Sequence, residues 1–195
     1  MESVNIDFNK RYTFADYLGW LDDKRRELIG GFVKMMTPAP SRKHQRVSGQ
    51  IYGQLWEQLR KNKCEVYHAP FDVRFPSVNG ETADNKIFTV VQPDVSIICD
   101  KSKLDERGCL GAPDLIIEII SPATAKKDVE EKFKLYEENG VREYWIIHPN
   151  DETATVFMLE NNKYKLQGIF AKDSKIIIGI FEGKMRIDLG EVFDD

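Results

Sequence analysis

The sequence predicts an α/β fold: a mixed central sheet flanked by helices, with β-hairpins added at the N- and C-terminal ends. Three observations predict it. Residues 90–99 and 113–120 are short, apolar, β-branched runs bounded by Pro, Gly and Asp, which is how strands read. A strand–helix–strand succession spans residues 113–147 and is most simply a parallel crossover. Residues 153–195 alternate short apolar runs with turn residues, as hairpins do.

In chain order, Thr13 is placed to cap a short helix through Phe14, Tyr17, Leu18 and Leu21. A hairpin follows, Arg26–Ile29 and residues 32–36, turned at Gly30-Gly31, which suits a tight primed turn. Prolines at 38 and 40 break the chain. From Ser41 a helix runs with Val47, Ile51, Leu55 and Leu59 at helical spacing. Residues 64–75 read as a strand and 76–87 as a polar loop. The two apolar runs come next, joined by a charged loop over residues 100–111. Ser121-Pro122-Ala123-Thr124 supplies helix-start chemistry, and the helix through Val129, Phe133 and Tyr136 stops at Asn139-Gly140. Residues 141–147 form an apolar, aromatic strand. The tail turns at Asn161-Asn162, Asp173-Ser174 and Glu182-Gly183.

At 195 residues and 42% hydrophobic, the chain is expected to be one domain, 1–195, with a full core. No run approaches the ~20 apolar residues of a membrane span, and no signal pattern opens the chain, so no membrane partner is expected. Cys64, Cys99 and Cys109 make no CxxC pair and leave one thiol over, which fits a cytoplasmic, reducing setting. A net charge of −4 decides neither for nor against nucleic acid. Three histidines without HxxxH or HxH spacing give no zinc pattern, and neither a GxSxG elbow nor a GxxxxGK[ST] loop is present.

Chemistry concentrates at Asp94 and Glu118, two carboxylates at or inside the apolar runs. Period-2 alternation puts Asp114, Ile116, Glu118 and Ile120 on one face, where a charge between isoleucines is costly unless compensated. Two such groups converging from neighbouring strands make a divalent-metal site, and their hard oxygens favour Mg²⁺ or Mn²⁺.

The stretches Gln92-Pro93-Asp94-Val95, Gly111–Pro122 and Asp128–Trp145 resemble the Uma-type endonuclease family, an uncharacterised-domain branch of the PD-(D/E)xK, restriction-endonuclease-like superfamily. The similarity extends to Glu27–Gly31, to Pro38–Ser41 with His44, and to Asp188–Phe193. The resemblance implies a restriction-endonuclease-like core and a Mg²⁺- or Mn²⁺-dependent nuclease acting on nucleic acid, DNA ahead of RNA with the choice left open by the sequence, and Asp94 and Glu118 as metal ligands. One position departs: where the family pattern has a lysine after the acid, this chain has Ile120. The resemblance points instead to Lys132 on the following helix, about 70° from the centre of its apolar face on a helical wheel. Glu27 resembles the additional glutamate that completes such sites.

Each residue also has a plainer reading. Lys132 reads equally as a solvated helix lysine, and Glu27 as a partner of Arg25 or Arg26. His44 is either a polar residue opening a helix or a substrate-binding contact to phosphate or a catalytic water. Asp128 orients Lys132 or simply favours the helix N-terminus. Asp114, ~13 Å along the strand from Glu118, is structural, and Tyr136, Tyr144 and Trp145 belong to the core. Basic clusters at 24–26, 42–46, 60–63 and 126–127 are solvated surface or phosphate-steering groups. Cutting both strands of a duplex favours a homodimer. The rival reading is a catalytically inactive protein on the same fold that binds nucleic acid or metal; a third is a metal-dependent hydrolase of some other substrate.

Overall fold

Two mixed six-stranded sheets carry the molecule, and the switch points between them place the carboxylates. The computed structural model describes residues 4–36, 39–77, 79–120 and 125–194, without the side chains of 125–128. Helix α1 (Phe14–Leu18) is capped by Thr13, whose side chain accepts from Asp16 N while the Asp16 carboxylate returns the bond. Strands β1 (Arg26–Ile29) and β2 (Phe32–Met35) form the expected hairpin. Gly30 and Gly31 both take positive φ, 59° and 89°, as a primed turn requires. Ser41 caps α2 (Arg42–Leu59), which buries the expected Val47, Ile51, Leu55 and Leu59.

Residues 64–75 are two strands rather than one. They divide into β3 (Glu65–His68) and β4 (Val73–Phe75), which lie in different sheets on either side of a cis Ala69–Pro70 bond. Pro70 has no N–H for a ladder, so the chain leaves one sheet there and enters the other. The run 90–99 divides likewise, into β5 (Thr89–Val91) and β6 (Val95–Ile98), with Gln92-Pro93-Asp94 as the crossing. The charged loop 100–111 contains a small hairpin, β7 (Leu104–Asp105) with β8 (Gly108–Leu110). The first sheet therefore runs β2-β1-β5-β4-β8-β7.

Strand β9 (Leu115–Ile119), helix α3 (Ala125–Glu138) and strand β10 (Glu143–His148) are the strand–helix–strand unit, and β9 and β10 pair in parallel. The helix-start signal at 121–124 and the Asp128 side chain lie outside the described residues. Gly140 follows the helix at φ 81°, the left-handed conformation of a helix stop. Strands β11 (Thr153–Glu160) and β12 (Lys163–Ala171) turn at Asn161-Asn162, both left-handed, and extend the second sheet to the order β12-β11-β10-β9-β6-β3. Asp173-Ser174 is not a hairpin turn: it leads out of that sheet to β13 (Lys175–Ile177), which pairs with β14 (Arg186–Asp188) around Glu182-Gly183. Asp188 caps a last short helix, α4 (Leu189–Phe193), absent from the sequence expectation.

Strand β9 is buried along its whole length. One face, through Leu115, Ile117 and Ile119, packs with α2, Trp145, Ile147 and the α4 residues Val192 and Phe193. The other, through Ile116, packs with Tyr136, Tyr144 and Ile146 and with Val73, Phe75 and Val91 of the first sheet. Helix α3 and the first sheet thus share the face of β9 that alternation assigned to Glu118.

The cysteine reading needs correction. Cys64 and Cys99 flank the paired ends Glu65 and Ile98 of β3 and β6 and are joined in a disulfide, while Cys109 is a buried free thiol. Residues 35 apart in sequence become cross-strand neighbours only through that pairing, and the cysteine count therefore no longer points to a reducing compartment. Among the described residues, no helix is long and apolar enough to cross a membrane.

Candidate active site

Antiparallel pairing of β6 with β9 sets Val95 opposite Ile117, so the next step of the same register brings Asp94 opposite Glu118. The backbone confirms the neighbourhood: Ile119 N donates to Asp94 Oδ2 at 2.7 Å. Asp94 stands at the sheet crossing because Pro93 ends one ladder immediately before it. Glu118 is 7% exposed and points to α3.

From α3, Lys132 Nζ donates to Glu118 Oε1 and to Glu27 Oε1, each at 2.9 Å. One turn further along, Tyr136 donates its hydroxyl to Glu118 Oε1 at 2.6 Å. The solvated-lysine alternative therefore fails, since Lys132 is nearly buried between two carboxylates. Glu27 pairs with neither arginine proposed for it. Arg26 is bound by Asp22, and Arg25 donates to Gln92 Oε1. Glu27 instead accepts from Gln92 N at 2.9 Å and from Lys132. An ion pair between Lys34 of β2 and Glu131 of α3, at 2.9 Å, holds the helix over the hairpin that carries Glu27.

His44, in the first turn of α2, sets Nε2 3.3 Å from Asp94 Oδ2. Its Nδ1 is buried, with no hydrogen-bond partner by distance and angle among the described residues. Asp114 lies apart from this cluster: it accepts from Cys99 N at 2.8 Å and from Arg142 at 3.1 Å, as a structural residue would. Two residues of the neighbourhood went unread as such. Tyr136 was assigned to the core, and its ring is indeed buried, yet its position four residues after Lys132 puts its hydroxyl in the cluster. Gln92 carried no signal beyond its place before Pro93. Its side chain also donates to Asp72 at 2.8 Å and lines a cleft of ≈ 280 Å³ with Tyr17, Trp20 and Arg25.

The electrostatics follow from three carboxylates gathered around one ammonium. Burial, reinforced by Asp94 and Glu27 and opposed by Lys132, pushes the Glu118 carboxyl up to about 7. Burial disfavours the charged form of Lys132, but Glu118 and Glu27 outweigh it and hold the ammonium above its ordinary value. Lys132 therefore stays charged at neutral pH. Burial likewise works against charge on His44, and the hydrogen bond and charge of Asp94, with Glu118 behind it, overcome it and raise the imidazole. Burial holds the Tyr136 hydroxyl protonated.

The donor set suits a divalent cation by chemistry. Asp94 and Glu118 offer hard oxygens side by side, and the surplus of negative charge is what a cation would relieve. Among the described residues no group of three His, Cys, Asp or Glu side chains gathers as a ready-made cage. Two carboxylates are nonetheless the usual protein share of a Mg²⁺ site completed by water and substrate phosphate.

Comparison with known proteins bears on the family and the fold. The model of the family Uma2, described as "Putative restriction endonuclease", matches residues 14–189. A curated relative, "Uncharacterized protein slr1290" of Synechocystis sp. (strain ATCC 27184 / PCC 6803 / Kazusa), is 24% identical over 134 residues. That alignment covers 68% of this chain and spans 65% of the relative's length. Among solved structures, a nuclease of the DUF820 group from Anabaena variabilis ATCC 29413, itself titled "putative", superposes with a TM-score of 0.72 at 19% identity. It covers 93% of this chain and 97% of its own, and at that identity it speaks for the fold.

Proposed function

We propose, from the premise that this chain belongs to the Uma2 family, that it is a metal-dependent nuclease hydrolysing phosphodiester bonds, in DNA before RNA. The observation that carries the proposal is the Lys132 ammonium bridging Glu118 and Glu27 beside Asp94. It supplies from α3 the lysine that position 120 lacks. A surface lysine would have left two buried carboxylates uncompensated, which is costly.

In this reading Asp94 and Glu118 hold Mg²⁺ or Mn²⁺, and a bound divalent ion would polarise the phosphodiester and acidify an attacking water. The protein's own groups do the rest. Lys132 spends two N–H groups on carboxylates, leaving its third for the attacking water or a phosphate oxygen. Glu27 fixes the ammonium, and is itself fixed by Gln92 N. Tyr136 and Lys132 both donate to Glu118 Oε1, so Oε2 would be the oxygen free to take a cation. His44, whose Nε2 stands 3.3 Å from Asp94 Oδ2, is placed to contact the scissile phosphate. Two copies of the chain would deliver both cuts of a duplex.

The test is incubation of purified protein with supercoiled plasmid and with single-stranded DNA, in Mn²⁺, Mg²⁺ or EDTA, beside Asp94→Ala and Glu118→Ala. The expected result is cutting that needs metal and disappears in both variants. Cutting that persists in the variants, or wild-type protein that never cuts, overturns the reading.

A further inference from the structure

We infer that the edge of α2 running from His44 to Trp56, half-buried as far as Tyr52 and exposed at Trp56, is a binding track for single-stranded nucleic acid that leads from the site to a base-stacking platform. This rests on the nuclease reading for its direction, because the helix begins at the site.

Helical spacing lines up His44, Ser48, Tyr52, Trp56 and Arg60 as one i+4 ridge, with steps of ~6 Å and a total of ~24 Å, enough for several nucleotides. His44 touches Asp94 at one end of that ridge. Further along, Trp56 is 53% exposed, large for an indole on a helix whose core is complete without it. Its ring stacks near Tyr52 at 6.2 Å and 22°, and Tyr52 in turn meets His68 edge-on at 4.7 Å. The neighbouring row holds Gly49 and Gly53, and a Cβ at either would meet nothing within 4 Å. The result is an aromatic ridge beside a strip of bare helix backbone, open to a flat ligand.

Charge identifies the occupant. Residues 41–63 carry six Lys or Arg and one acid, Glu57, in a chain of net charge −4; Arg42 and Lys43 stand at the start of α2, Arg60, Lys61 and Lys63 at and beyond its end, and Arg46 bonds Phe193 O. Glu57 is itself paired with Arg60. A second copy of the same face would set like charges against each other, whereas a polyanion with exposed π-faces satisfies both the cations and the indole. Paired bases hide those faces, so the surface favours single strands.

The measurement is fluorescence anisotropy of a labelled single-stranded oligonucleotide, DNA and RNA in parallel, in EDTA so that nothing is cut. Trp56→Ala is expected to weaken binding about tenfold, in the range of one lost base–aromatic stack, and Trp56→Phe to weaken it less. The same substitution should leave duplex affinity nearly unchanged. In a Trp20→Phe background, single strands should quench the Trp56 emission, since the third indole, Trp145, is buried. Thermal melts establish that each variant is folded. Unchanged single-strand affinity in Trp56→Ala overturns the proposal, as does absence of oligonucleotide binding by the wild type. A fall in sedimenting mass in Trp56→Ala would also overturn it, by assigning the face to a second copy. Because no turnover is read, the two readings separate. Binding through Trp56 without any cutting upholds the track and sinks the nuclease, and metal-dependent cutting with an indifferent Trp56 does the reverse.

Discussion

Glu118 and Glu143 are both sealed carboxylates on the adjacent parallel strands β9 and β10, on opposite faces of one sheet. Burial raises both. Glu143 accepts from the Trp145 indole at 2.7 Å and from Ile180 N at 2.9 Å, neutral donors that tie the C-terminal segment to the sheet. Glu118 instead faces an ammonium, a phenol and two further acids. The difference teaches that burial of an acid is not what marks a working site. A carboxylate answered by the protein's own dipoles is a fastener. One set among unbalanced charges is what the proposed nuclease site requires, and there the protein's own groups leave charge for a cation to relieve.

Four measurements press on that contrast. Lys132→Ala should lower single-turnover cleavage by on the order of 10³-fold, the scale of a lost charge-stabilising or water-orienting group. Lys132→Arg should not restore it, because the longer, bulkier guanidinium does not fit the nearly buried place of the compact ammonium. Glu143→Ala should leave the rate per folded molecule unchanged. In urea denaturation it should cost about 3 kcal/mol, since the Trp145 and Ile180 donors are left without acceptors. Glu118→Gln should cost less than ~1 kcal/mol in the same experiment, because the repulsion it relieves offsets the bonds it weakens. A loss equal to that of Glu143→Ala would make Glu118 a fastener too.

The smallest expected effect is in pH. The folded protein holds the Glu143 proton to higher pH than the unfolded chain does, with burial as the largest cause. Between the ordinary glutamate value and the raised folded one, the folded state binds more protons, so stability falls as pH rises through that window. Glu143→Gln should remove that slope, read from denaturation midpoints at several pH values.

Much of this was legible in the residues, and the rest was hidden for identifiable reasons. The β1–β2 hairpin announced itself through Gly-Gly, α2 through its four-residue apolar spacing, and the β9–α3–β10 unit through alternation giving way to helical period. Asp94 and Glu118 stand out in the sequence by their apolar surroundings, whereas Lys132, Glu27 and His44 stand out through resemblance rather than spacing. The sheet switches at Pro70 and at residues 92–94 were not legible, because an apolar run looks the same whichever sheet receives it. The β7–β8 hairpin lay inside a charged loop whose polarity masks strands on a sheet edge. Cys64–Cys99 could be found only once β3 and β6 were paired. Glu143 gave no sign of its burial, since an acid opening a strand reads as a solvated end.

The measurement that bears most directly on the site is calorimetric titration of Mn²⁺ into wild-type protein, Glu118→Gln and Glu143→Gln. The account predicts saturable binding in the wild type and in Glu143→Gln that is lost or sharply weakened in Glu118→Gln. Equal binding by Glu118→Gln, or none by the wild type, would contradict it.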